Sequence, residues 1–287
     1  MYRKVKRQLF AEKVDMGGFP VRQPFPTSEV DSIDPFLLLH HAEVKFSVNR
    51  DPKTQGVGPH PHRGFSPVTF VFKGGVHHQD SRGNNSVIYE GGTQWMNAGM
   101  GVIHSERPPA NIEELGGRQE IIQLWINTPA AHKMDQPAYY GLTQENTPFI
   151  HSSDKEKIWL VSGKYENVSG PIPSQTEVVA IRSAFKKGGS FDFKLPQNHN
   201  AYLYALDGQL RLSGYGLLDG LNLLQFDPGE GDIGVEAKED TRFIIMSGAP
   251  LNEPVESHGP FVMNNQTEIM EAMRDYQMGK MGFLVEE

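Results

Sequence analysis

The stretch HPHRGFSPVTFVFKGG, residues 60–75, decides how this sequence is read. Its second half carries an apolar, β-branched and aromatic run at 67–72 that stops at Lys73-Gly74-Gly75, the composition of a strand closed by a turn. Its first half sets two histidines one residue apart. In an extended strand the side chains at i and i+2 share a face, so His60 and His62 project together. Two imidazoles side by side are either a polar decoration or half of a metal site, and the rest of the chain has to discriminate.

Outward from this stretch the pattern repeats. Short runs at 76–80, 86–89, 93–96, 102–106 and 120–126 are set apart by Gly, Asn and Pro, which predicts a sandwich or barrel. A polar stretch at 127–147 reads as a linker with a helical turn, and a second β-rich block runs over 158–246. The blocks echo each other: Phe70-Val71-Phe72-Lys73-Gly74 resembles Tyr204-Ala205-Leu206-Asp207-Gly208. Duplicated β-barrels follow, an all-β fold divided as 1–133 and 134–287. The tail differs, because Ile269, Met270, Met273 and Tyr276 recur at helical spacing. A short C-terminal helix over 266–277 is expected to pack its Ile269/Met270/Met273 face on a barrel.

Composition narrows the chemistry. With 30 glycines and 20 prolines in 287 residues, a turn-dense β architecture is favoured over a helical one. The absence of cysteine excludes disulfides and thiolate zinc sites, so a metal must be held by nitrogen and oxygen. A net charge of −8 argues against direct nucleic-acid binding over a broad surface. The basic start MYRKVKRQLF leads into no apolar h-region, and no apolar run is long enough to span a bilayer. A cytoplasmic monomer that does not enter membranes is expected.

The second half of a metal site stands at Ile103-His104-Ser105-Glu106. His104 and Glu106 again share parity, and HxH and HxE pairs on strands facing each other would converge four ligands. Three neutral imidazoles and one carboxylate suit Fe, Mn, Co, Ni, Cu or Zn and are too nitrogen-rich for Mg or Ca. Such a site retains about one positive charge in a dry barrel, which favours an anionic, oxygen-chelating substrate.

With Gln94-Trp95-Met96-Asn97-Ala98-Gly99, Asp34-Pro35-Phe36-Leu37-Leu38, Gln123-Leu124-Trp125-Ile126-Asn127 and Gly259-Pro260-Phe261-Val262-Met263-Asn264, these motifs make the chain resemble the pirin family of the cupin superfamily. The resemblance implies two cupin-type, jelly-roll-like barrels face to face. It implies one divalent transition metal, iron first, held in the N-terminal barrel by His60, His62, His104 and Glu106. It further implies a quercetin 2,3-dioxygenase activity, in which a flavonol reacts with dioxygen, releases carbon monoxide and leaves a depside, with Glu106 as the base. Pirin relatives also act as metal-dependent regulators of a transcription factor or enzyme, so a protein partner is the alternative. Leu39-His40-His41 departs from the family, whose members often carry an acidic residue there, and no role is assigned to it.

Other residues receive plainer readings. Aligning Gly74 with Gly208 places Lys194 and Pro196 at the positions of His60 and His62, so the second barrel is expected to lack the metal. His199 reads as structural. Of His77 and His78 only one can face inward, with solvent exposure or a core hydrogen bond the expectation. Trp125 reads as packing, and Gln123, of the same parity, as a partner to a metal ligand.

Overall fold

The structure, a computed structural model, describes residues 1–286. It forms two compact units that interleave along the chain. One contains residues 15–21, 38–144 and the segment from 251 onward; the other contains 1–14, 22–37 and 145–250.

In the first unit a four-stranded sheet runs in the order Val57–His62, Val102–Arg107, Gly75–Asp80, Asn85–Tyr89. A larger sheet runs Ala138–Leu142, Thr93–Asn97, Phe65–Lys73, Arg118–Asn127 and then Phe36–Lys45, whose residues from Leu38 belong to this unit. The strand Phe65–Lys73 is buried along its length until Lys73, which is why residues 67–72 read as an unbroken apolar run rather than an alternating one. It turns at Gly74, where φ is +73° and a Cβ would overlap the Arg118 carbonyl oxygen, so only glycine fits.

The second unit repeats this plan. Its four-stranded sheet runs Ser190–Phe193, Ile233–Ala237, Gln209–Leu212, Gly216–Asp219. Its larger sheet runs Val5–Phe10, Asn222–Phe226, Asn200–Ala205, Thr241–Gly248, Val178–Phe185, Glu156–Ser162, Phe149–Ser152. Gly208 occupies the turn equivalent to Gly74, with φ +65° and the Asp240 carbonyl oxygen in the way of a Cβ. Leu160, Ile181, Phe185, Phe193, Leu203 and Phe243 are among the side chains that fill this barrel.

The equivalence corrects the ungapped alignment. The counterpart of Val57–His62 is Ser190–Phe193, and Phe191 stands opposite Val235 where the first unit sets His60 opposite His104. The link from Phe193 to Asn200 is longer than the one from His62 to Phe65, so Lys194 and Pro196 fall in a loop. The second barrel is closed by apolar side chains where the first presents imidazoles.

Two other expectations change. The polar stretch holds the short helical turn Ala130–His132, but also a strand, Ala138–Leu142, pairing with Thr93–Asn97. The tail helix Gln266–Gln277 forms, capped by Asn265, whose side chain accepts from the Glu268 amide (3.0 Å). Its buried face, however, is Ile269 and Ala272 against Phe261, Met263 and Met281. Met270 is 63% exposed and Met273 is also exposed. Met281, returning from beyond the helix, occupies the core that Met273 was expected to fill. Among the described residues no helix is long and apolar enough to cross a membrane.

Candidate metal centre

The two histidine-bearing strands do not face each other across the barrel; they are neighbours in the four-stranded sheet. Their antiparallel register sets His104 directly opposite His60 and Val102 opposite His62. Directly opposed residues in an antiparallel pair share a face, with Cβ atoms about 5 Å apart. Adjacency therefore does what facing strands were expected to do. His60, His62 and His104 each offer a ring nitrogen, and these lie within 4.8 Å of one another. Among the described residues this is the only group of three or more such side chains.

The ring nitrogens fit a cation. His60 Nδ1 lies 2.8 Å from the Gly58 carbonyl oxygen, which can only accept, so Nδ1 carries the proton and Nε2 a lone pair. That Nε2 is 3.0 Å from His104 Nε2, close to the separation of two nitrogens held at right angles about 2.1 Å from one metal ion. His62 Nδ1 is buried without a hydrogen-bond partner. Burial, then the neighbouring imidazoles, push His62 and His104 well below the usual histidine value, which keeps both neutral. Three imidazoles crowded together satisfy one another poorly and suit a transition-metal ion.

Glu106 lies outside this group. The register shifts between His104 and Glu106, so Glu106 pairs with Val57 and not in regular step. Its carboxylate reaches the larger sheet, where Oε1 accepts from Thr69 Oγ1 (3.2 Å) and Oε2 from Gln123 Nε2 (2.8 Å). Thr69 and Gln123 are themselves cross-strand partners. Gln123 thus holds Glu106, as its parity suggested, while Thr69 carried no comparable signal in the sequence.

The site opens into a cavity of about 370 Å³ bordered by His60, His62, Glu106 and Gln123. Its remaining wall is chiefly apolar, with Phe19, Val21, Phe46, Val57, Val76 and Ile121. His40 also lines it, lowered to about 4 by burial and so uncharged at neutral pH. His41 points elsewhere, 3.3 Å from the buried Glu120, which also accepts Lys73 (3.2 Å).

Comparison with known proteins agrees with this geometry. The Pirin family model matches residues 18–126, and the model of the Pirin C-terminal cupin domain matches 180–282. The chain belongs to the pirin family. A pirin-like protein of Solanum lycopersicum is 34% identical over 285 residues, 97% of this chain and 92% of that one. Among solved structures, a quercetin 2,3-dioxygenase from Acinetobacter baumannii is 33% identical with a TM-score of 0.90, covering 99% of this chain and 100% of the other. The Escherichia coli pirin YhhW, solved with nickel(II), shares the fold at 19% identity and a TM-score of 0.66, over 86% of this chain and 98% of that one.

Within this pirin fold the remaining histidines separate cleanly. His77 is partly exposed and meets Asn85 Oδ1 (2.7 Å). His78 is buried, stacked on Tyr139 at 4.0 Å and 11°, with Nε2 3.0 Å from Asp80 Oδ2 and Nδ1 3.3 Å from His104 Nδ1. The sequence held a signal for this pair, because His78 and Asp80 share strand parity just as His60 and His62 do. His199 is buried in the second unit between Ser247 Oγ (3.0 Å) and Glu177 (3.3 Å), beside a concavity of about 570 Å³. Trp125 packs on Phe65 (4.3 Å between centroids) and edges the His62 ring.

Proposed function

We propose that this protein is a metal-dependent dioxygenase of the quercetin 2,3-dioxygenase type, which cleaves a flavonol with dioxygen, and that iron is its metal. The observation that carries the reading is the convergence of His60, His62 and His104, two of which, His60 and His62, line a mostly apolar cavity of about 370 Å³, within the range of pockets that enclose small organic ligands. The 33% identical Acinetobacter baumannii structure, named a quercetin 2,3-dioxygenase, supports the choice of substrate class. A cavity of this size favours turnover over the regulatory reading, which expects a narrow pocket beside a charged surface.

His60, His62 and His104 would hold the metal, with Glu106 exchanging one of its present hydrogen bonds to complete the set. When bound, the ion supplies a Lewis acid that polarises a coordinated substrate oxygen. The protein supplies the rest. The apolar walls take the flavonol rings and exclude water from them. Glu106 is the anionic group bordering both the histidines and the cavity, and it serves as the base for the flavonol hydroxyl proton. Thr69 and Gln123 now donate to one oxygen each of its carboxylate, and whichever of the two bonds is kept would hold the direction from which it accepts that proton.

The test compares wild type with Glu106→Gln at matched metal content, following oxygen uptake and loss of flavonol absorbance. Glutamine keeps an oxygen and the shape but removes the basicity, so turnover should fall by about 100-fold or more. Elemental analysis should find one transition metal per chain and none in His62→Ala. Equal rates in the two metallated proteins would remove Glu106 from the chemistry. No turnover of any flavonol by metallated wild type would overturn the assignment itself.

A further inference from the structure

Behind the three histidines lies a buried hydrogen-bonded row that the proposed chemistry does not use. Asp80, His78 and His104 are linked in series, with Asp80 Oδ2 to His78 Nε2 at 3.0 Å and His78 Nδ1 to His104 Nδ1 at 3.3 Å. All three side chains are at least nine-tenths buried. The row arises from strand register: Val102–Arg107 sits between its two neighbours, so His104 has His60 opposite on one side and Asp80 on the other. Glu106 is likewise opposite His78, which brings His78 diagonally against His104.

With His78 as the neutral imidazole, the hydrogen bonds along the row fix one direction for its protons. Asp80 is held as an acceptor: Oδ1 takes the Arg82 and Asn84 amides (2.8 and 3.0 Å) and Oδ2 takes Asn84 Nδ2 (2.8 Å). An ionised carboxylate accepts only, so His78 Nε2 must donate to it. A neutral His78 then has a lone pair on Nδ1, and the hydrogen bond to His104 requires the proton to sit on His104 Nδ1. That leaves the lone pair of His104 on Nε2, facing His60 Nε2 at 3.0 Å. The row from Asp80 and the separate contact from the Gly58 carbonyl to His60 therefore both end in lone pairs aimed at one point.

We propose that Asp80 and His78 are positioning residues that lock His104 in the Nδ1–H tautomer, so that its Nε2 is the preset anchor for the metal. The three ligands are thus unequal. His104 is backed by a carboxylate through an imidazole, His60 by a neutral carbonyl oxygen, and His62 by nothing stronger than the Pro260 backbone. A carboxylate behind a ligating imidazole raises its basicity and fixes its ring, and loss of such a partner typically weakens metal binding by about 10- to 100-fold. Tyr139 stacks flat on the His78 ring, and its hydroxyl is held by Ser86 Oγ (2.6 Å), which fixes the plane in which His78 meets Asp80 and His104.

The proposal rests on the metal reading but not on the identity of the substrate, and its test needs no turnover. Long-range 1H–15N correlation spectra of chelator-treated, histidine-labelled protein report which ring nitrogen carries each proton. Wild type should show His104 protonated at Nδ1. Asp80→Asn lets the side-chain amide donate to His78 Nε2, which reverses the row, so His104 should change to Nε2–H. Zinc, used as the probe in a chelator competition, should then bind about 10- to 100-fold more weakly. Because Asp80 also holds its turn, His78 provides the second pair of variants. His78→Gln can still present an acceptor oxygen and should keep both the tautomer and the zinc affinity. His78→Leu cannot, and should lose both. An Nε2–H tautomer at His104 in wild type would overturn the proposal, as would unchanged zinc affinity in both His78→Leu and Asp80→Asn. Failure to turn over flavonols, with the tautomer as described, would count against the proposed function alone.

Discussion

Replacing Lys133 with methionine should both weaken the fold and remove a rise of stability with pH. Lys133 is 1% exposed, and its ammonium donates to the Gly64 carbonyl (2.6 Å), Asn127 Oδ1 (2.7 Å) and the Val262 carbonyl (3.0 Å). It ties the turn that follows His62 to the strand Phe261–Met263. Burial lowers its pKa from 10.5 to about 8, against the opposing pull of Glu253 and Glu268. Between those two values the unfolded chain binds more protons than the folded one, so stability rises with pH through that window. Below about pH 7 both states are protonated and the contribution is flat. From pH 7 to pH 10 the gain works out at about 2.5 kcal/mol.

Methionine has nearly the same length but no charge. Lys133→Met leaves three buried acceptors without their donor, which should lower stability at pH 7 by about 3–5 kcal/mol. The variant also loses the titrating group, so the gap between the two proteins should widen by about 2.5 kcal/mol between pH 7 and pH 10. Urea unfolding followed by tryptophan fluorescence at each pH measures this directly, and groups common to both proteins cancel. Buried Tyr139 and Tyr202, both raised by burial, begin to oppose folding only near and above pH 10, which sets the upper end of the window. Parallel pH profiles for wild type and variant would refute the burial argument for Lys133.

The tail helix offers a paired comparison. Ile269→Ala should lower stability by about 2–4 kcal/mol, whereas Met270→Ala, at an exposed position, should stay within about 0.5 kcal/mol; similar losses in urea unfolding would contradict the buried Ile269/Ala272 face. Gly64→Ala should be damaging out of proportion to its size, because φ is +84° and the added Cβ would overlap the Val262 carbonyl oxygen. A fall of more than about 2 kcal/mol is expected, together with weaker zinc binding, since the turn immediately follows His62; a variant as stable as wild type would show that the turn relaxes freely.

Parity alone exposed the histidines. HxH and HxE are legible because a strand repeats every two residues, and that rule needs no knowledge of which strands are neighbours. The buried run at 67–72 and its glycine turn were legible for the same local reason. Register is a different kind of information. Whether His104 meets His60 across a barrel or beside it depends on which strands pair, and the pairing is set by contacts distant in sequence. The shift between His104 and Glu106 against the Val57–His62 strand has no local marker either, nor does the reach of the Glu106 carboxylate to Thr69 and Gln123. The placement of residues 1–14 in the second unit follows from one such long-range pairing, that of Val5–Phe10 with Asn222–Phe226. In the second barrel, the longer link after Phe193 defeated an alignment that assumed equal loops.

His78-Gln79-Asp80 shows where the line falls. Its spacing carries the same signal as His60-Pro61-His62, yet an HxD pair means little until its neighbour is known. Beside an unrelated strand it would be a buried ion pair and nothing more. Beside Val102–Arg107, in the register that sets Asp80 opposite His104, it determines which nitrogen of a metal-binding histidine is free. The chemistry of the site is therefore written in residue types that the sequence displays. Its directionality, which proton sits on which atom, is written in strand register, and that becomes readable only when the sheet is in view.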